Sequence, residues 1–209
     1  MKIIEANKIN KSFGIQHVLK DLSFDVESNE MIAIMGKSGT GKSTILNILG
    51  LLDKPDSGDY MLFGFKNIRP FSTKATKMLR DKIGFLFQNY ALIDSKDVYY
   101  NLNLVLKNRH KINHDEMVAK ALEEVGLAGF ETKKVYQCSG GEQQRIAVAR
   151  LLLKPCELVL ADEPTGSLDI QNRDEVIKLM KILQASGKTV VIVTHDHEVA
   201  NQCDRIIKL

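Results

Sequence analysis

Met31-Ile32-Ala33-Ile34-Met35-Gly36-Lys37-Ser38-Gly39-Thr40-Gly41-Lys42-Ser43-Thr44 decides the fold. The first five residues form an apolar run that suits a buried strand. The next eight satisfy G-x-x-x-x-G-K-[ST] at every fixed position. From Gly41 the spacing predicts a helix closing near Leu52, stopped by Asp53-Lys54-Pro55 and the turn residues Asp56-Ser57-Gly58. Strand, glycine loop and helix in that order make a phosphate cradle. The glycines let backbone N–H groups turn inward without Cβ clashes, and the helix N-terminus adds its positive dipole end. Lys42 is a mobile point charge for β- and γ-phosphates, and Ser43 offers a hydroxyl to Mg²⁺. Gly36, Lys37, Ser38, Gly39, Thr40, Gly41, Lys42, Ser43 and Thr44 are therefore read as the contacts of a nucleoside triphosphate and its Mg²⁺.

Outward from the cradle, short apolar runs alternate with longer helical patterns, which argues for an α/β protein. Strands are expected at Ile3 to Ile9, Val18 to Val26, Tyr60 to Phe63, Ile83 to Phe87, Leu158 to Ala161, Thr189 to Thr194 and Arg205 to Leu209. Between Tyr90 and Leu153 the pattern turns helical: Val98, Leu102 and Val105 share one face, as do Met117, Val118, Ala121, Leu122 and Val125. A further helix is expected from Val176 to Leu183, ended by Gly187. The sheet is thus split around a helical insertion. One domain over 1–209 is expected, with a core of 1–88 and 154–209 and a helical subdomain of about 89–153.

Composition narrows the field. The 209 residues are 44% hydrophobic and 26% charged, ordinary globular values that exclude a disordered or fibrous chain. No apolar run approaches the ~18 residues of a membrane span, and Glu5 interrupts any signal core at once. A chain that crosses no membrane is expected. The net charge of +3 is too mild to argue for nucleic acid. The local basic excesses, Lys66 to Lys82 and Lys107 to Lys111, read as solvated faces and loops. Cys138, Cys156 and Cys203 have no metal or redox spacing and suit a reducing cytoplasm.

Phosphoryl transfer also needs a carboxylate near the metal and a group for water. Leu158-Val159-Leu160-Ala161-Asp162-Glu163 is an apolar strand ending in two acids. In a parallel sheet with the first strand, Asp162 reaches the mouth of the cradle as a metal ligand. Glu163, one residue further, can polarise an attacking water.

Ser139-Gly140-Gly141-Glu142-Gln143-Gln144-Arg145 opens a second helix, expected from Gly140 to Leu153. Ser139 and Glu142 have capping-box spacing, and the two glycine amides give another anion site. With this stretch the chain resembles the nucleotide-binding subunit of ATP-binding cassette (ABC) transporters, whose signature is L-S-G-G-Q/E, and it does so over essentially its whole length. The resemblance implies a P-loop NTPase core with a mostly parallel sheet, an N-terminal antiparallel β subdomain and a helical insertion. It implies two subunits paired head to tail as a homodimer, each ATP lying between the P-loop of one and Ser139, Gly140, Gly141 and Glu142 of the other. It also implies a catalytic set of Glu163, His195, Gln88 and Lys42. Gln88 matches the Q-loop glutamine that joins Ser43 and Asp162 at the metal. His195 matches the histidine that contacts the γ-phosphate, and Asp169 in Ser167-Leu168-Asp169 matches the D-loop. Phe13 sits where the family places an adenine-stacking aromatic, although plain core packing would also explain it. His195-Asp196-His197 lacks a third metal ligand at sensible spacing.

One departure is Cys138 in the place of the usual leucine. As a smaller buried hydrophobe it should cost some packing but not activity. A bulky thiol reagent is expected to inhibit if Cys138 can be reached. Leu-Ala-Asp-Glu-Pro-Thr-Gly-Ser-Leu-Asp is similar to the group serving macrolide export, lipoprotein release and bacteriocin or antimicrobial-peptide export. Asn89-Tyr90-Ala91-Leu92-Ile93 is most like the bacteriocin exporters. The expected function is ATP hydrolysis at the inner face of the cell membrane, powering a separately encoded integral-membrane permease, with no nucleic acid involved. A signalling or envelope-remodelling module that moves a membrane partner without transport remains the alternative.

Overall fold

The structure, a computed structural model, describes residues 1–107, 113–165 and 170–209. Two sheets carry the chain. Strands β1 (Lys2–Phe13) and β2 (Gln16–Glu27) form a long antiparallel hairpin. They join β4 (Ser57–Leu62) and β5 (Phe65–Lys66) in the order β2-β1-β4-β5. The other sheet runs β6-β7-β8-β3-β9 and is parallel at every pairing. Its strands are β3 (Met31–Met35), β6 (Ile83–Leu86), β7 (Leu158–Asp162), β8 (Thr189–Thr194) and β9 (Arg205–Lys208). All residues of β3 and β8 are buried, as expected of strands covered on both faces.

Helices cover that sheet. α1 (Lys42–Leu49) follows β3 and turns Ile45, Leu46, Ile48 and Leu49 into the core beneath the β1 hairpin. Between β6 and β7 lie α3 (Val98–Asn103), α4 (His114–Glu124) and α5 (Gly140–Leu153). Val98, Leu102, Val118, Leu122 and Ile146 pack into one apolar cluster with the sheet's other face. α6 (Ile170–Ala185) and the short α7 (His197–Asn201) complete the fold. Among the described residues no helix is long and apolar enough to cross a membrane.

Several sequence expectations need correction. The hairpin strands are longer than the apolar runs suggest, because backbone pairing from Lys2 to Phe13 does not need apolar side chains. The first helix stops at Leu49, where the Gly50 amide closes onto the Leu46 carbonyl and Leu51 adopts a left-handed φ of 57°. Val105 falls beyond α3, and Phe87 beyond β6. α6 begins earlier and ends later than Val176 to Leu183. The basic stretch Lys66 to Lys82 contains an unexpected amphipathic helix, α2 (Thr73–Asp81). Ser72 caps it by accepting from the Ala75 amide, and Ala75 and Met78 are its buried face. The Lys107 to Lys111 stretch lies mostly outside the described residues.

Candidate functional site

The cradle is built by the turn from β3 into α1. Gly36 has no room for a Cβ, which would run into the Thr40 hydroxyl. Gly41 caps α1 at φ 97°, a left-handed conformation, with Leu19 and Val18 pressed against the same spot. No side chain caps α1 and no acid occupies its first turn, so its leading N–H groups and dipole face an anion unopposed. These groups open into a cavity of about 380 Å³ lined by Phe13, Val18, Ser38, Gly39, Gly41, Lys42, Ser43, Thr44 and Glu163. Larger hollows exist, such as a groove of about 610 Å³ between Phe65 and α2. The smaller cavity is the one lined by Lys42, Ser43 and Glu163, and its chemistry favours it.

Lys42 is nearly buried, and its ammonium donates to the carbonyls of Gly36 at 2.9 Å and Lys37 at 3.1 Å. Its Nζ also lies 3.4 Å from Glu163 Oε1. The other Glu163 oxygen is 3.0 Å from His195 Nδ1, so one carboxylate bridges the P-loop lysine and the histidine at the end of β8. Glu163 itself has φ 43°, and its amide donates to the Val193 carbonyl. The parallel register Asp162↔Val193 carries both acids to the cradle. Asp162 Oδ1 accepts from Ser43 Oγ at 3.4 Å. Burial pushes the Asp162 carboxyl above the ordinary range, and the neighbouring Glu163 adds to this. The Ser43 hydroxyl and the Lys42 ammonium act in the opposite sense.

Phe13 is 55% exposed, so it is not a core residue; the Lys11 ammonium lies 5.4 Å from its ring centre. Lys11 is itself anchored by Asp53 and the Lys54 carbonyl, which fixes the end of β1 beside the cradle. Gln88 is exposed in the turn after β6, two residues past the pair Leu86↔Ala161 and hence beside the Asp162 end of β7. Ser139, Gly140, Gly141 and Glu142 do not line the cavity. They form the start of α5, where Ser139 Oγ accepts from the Glu142 amide and the Glu142 carboxylate accepts from the Ser139 amide at 2.7 Å. That backbone bond, with Lys133 at 3.2 Å, holds the Glu142 carboxyl below its usual range. Asp169 and its neighbours Ser167 and Leu168 lie outside the described residues. Asp196 caps α7 through the Glu198 amide. Among the described residues no group of three or more His, Cys, Asp or Glu could hold a metal.

Cys138 is 7% exposed, and burial pushes its thiol up. An accessible thiolate is the condition for attack by a thiol reagent, and this site does not meet it. Two polar residues of α5 escaped the sequence reading. Gln144 is buried and donates to the Pro164 carbonyl at 2.8 Å. Arg150 donates to the carbonyls of Tyr90 at 2.7 Å and Ala91 at 2.6 Å, just after Gln88. Polar residues on the buried face of an otherwise apolar helix were the signal available for both.

Fold and cradle together define a P-loop nucleoside-triphosphatase: a parallel sheet, a phosphate loop into α1, and acids at the end of the neighbouring strand. Comparison with known proteins then fixes the family. The profile of the ABC transporter family matches residues 19–166, and the chain belongs to that family. It is 37% identical over its full length to the macrolide export ATP-binding/permease protein MacB of Neisseria meningitidis serogroup B, covering 33% of that protein. MacB of Shewanella sp. is 40% identical over 99% of the chain and 32% of its own length. The chain thus spans about a third of the curated relatives it matches. Among solved structures, the ATP-binding cassette MJ0796, a dimer in a post-hydrolysis state with ADP and phosphate, superposes with a TM-score of 0.84 at 37% identity. That match covers 99% of this chain and 94% of the other. CbiO1 of Clostridium perfringens gives 0.86 at 29% identity, over 99% and 84%. The chain is an ATP-hydrolysing ABC cassette.

Proposed function

We propose that this cassette works as a head-to-tail homodimer that hydrolyses two ATP molecules and drives an integral-membrane permease. The observation that carries the reading is the Glu163 carboxylate, held between Lys42 and His195 at the mouth of a cradle lined by Phe13. Arriving β- and γ-phosphates outcompete the carbonyls and the carboxylate for the Lys42 ammonium, because phosphate offers charge-assisted bonds. That exchange frees Glu163 to orient and deprotonate water. His195 keeps the carboxylate in place and reaches the γ-phosphate. Phe13 stacks on adenine, and Gly36 to Thr44 enclose the phosphates.

Ser43 and Asp162 present adjacent hard oxygens, a donor set suited to Mg²⁺, which keeps most of its shell for water and phosphate. With Gln88 they would hold the ion, which supplies charge neutralisation at the phosphate oxygens. The partner protomer closes the site with Gly140 and Gly141 amides, Glu142 and the Ser139 hydroxyl. Ser139 accepts from the Glu142 amide, so its own proton is available to donate. Residues 89–153 act as a helical unit inserted in the core of 1–88 and 154–209, and the segment after Gln88 meets the permease.

The relatives are named ATP-binding/permease proteins, which supports a permease partner here. The cargo we favour is a peptide, bacteriocin or other antimicrobial, exported from the side on which ATP is bound. The test is reconstitution of the co-purified complex in vesicles. ATP-dependent cargo movement is expected. ATP turnover that changes the partner's conformation without moving cargo would favour the signalling reading.

A further inference from the structure

We infer that Gln144 is a positioning residue that holds Glu163 in its working conformation. The inference rests on the proposed role of Glu163 as the base. Glu163 is a non-glycine residue at φ 43° directly before a proline. A left-handed backbone is costly for a non-glycine residue and persists only where its surroundings over-determine it, and proline steers the residue before it toward extended conformations. Two contacts hold this one. On the sheet side the Glu163 amide donates to the Val193 carbonyl at 3.0 Å. On the other side the Pro164 carbonyl accepts from Gln144 Nε2 at 2.8 Å. Gln144 is only 3% exposed on the apolar face of α5. An amide buried there costs stability unless it is bonded, and the Pro164 carbonyl is the partner the fold provides.

Gln144 sits five residues from the Ser139 cap, or about 7.5 Å along the helix axis. In the proposed dimer, the glycine end of α5 serves the partner's nucleotide. The helix that closes one site therefore fixes the base of the other through one amide.

Gln144→Met keeps the length and removes the donor. It should lower kcat about tenfold, the loss of one good hydrogen bond, with KM for ATP unchanged and the melting temperature lower by a few degrees, because the buried Pro164 carbonyl loses its donor. In a Glu163→Gln background the same change should leave residual turnover untouched, because its effect runs through Glu163. Gln144→Glu decides the matter independently of how well the methionine variant folds. Its buried carboxyl can donate only when protonated, so its kcat relative to wild type should rise as pH falls. Wild-type kcat for Gln144→Met, an equal loss in both backgrounds, or a Gln144→Glu ratio flat with pH would overturn the positioning role alone. Full hydrolysis by Glu163→Gln would overturn the base assignment and this inference together.

Discussion

At the scale of single residues the site is a competition for charge. Lys42 donates to two carbonyls and pairs with one carboxylate, all of which ATP can replace. Lys42→Ala should therefore weaken ATP binding, by about tenfold to a hundredfold for a lost charge-assisted bond. Titration calorimetry checks this, and unchanged affinity would argue against the cradle. Asp162 gives a pH prediction. Its carboxyl is raised mainly by burial, above the ~3.9 of an exposed aspartate. The neutral acid thus favours the fold below the ordinary value, and that contribution is lost as pH rises through the raised one. Activity should run the other way, since in the proposed site the metal requires the carboxylate. The acid limb of the pH–rate profile should lie above the ordinary aspartate range and move to lower pH as Mg²⁺ is increased. A limb insensitive to Mg²⁺ would remove Asp162 from the metal site.

At the scale of elements, α5 is the organising piece. Ser139 caps it, Gln144 holds the loop after β7, and Arg150 holds the loop after β6. Ser139→Ala removes the cap and should cost about 1 kcal/mol of stability. It should also slow hydrolysis while leaving ATP binding to the isolated protomer intact. Denaturant melts and steady-state rates measure the two effects, and a stability loss without a rate loss would confine Ser139 to capping. α5 could be read from the sequence to the residue, because a capping box, two glycines and an apolar face all agree at its ends. The buried strands were equally plain, since β3 is apolar throughout and β8 is apolar between its two terminal threonines. α2 was hidden because only Ala75 and Met78 face inward among four basic residues from Lys74 to Lys82. The P-loop is contiguous and carries its chemistry in its spacing. The Lys42–Glu163–His195 bridge joins three distant segments, so only the fold displays it. The strained backbone of Glu163 has no sequence signature at all.

At the scale of the whole molecule, the proposed function assigns two helix N-termini of each chain to different nucleotides: the cradle at α1 and the glycine end of α5. A C₂ pairing uses both and makes two equivalent composite sites. MJ0796, which shares the fold at 37% identity, forms a dimer. ATP would then act as the material that joins two protomers, and hydrolysis as the step that parts them. Glu163→Gln separates those steps most directly. Incubated with ATP and Mg²⁺, it should bind nucleotide normally, turn over almost none, and accumulate as an ATP-loaded dimer in size-exclusion chromatography with light scattering. Hydrolysis at the wild-type rate, or a variant that stays monomeric while saturated with ATP, would contradict the account.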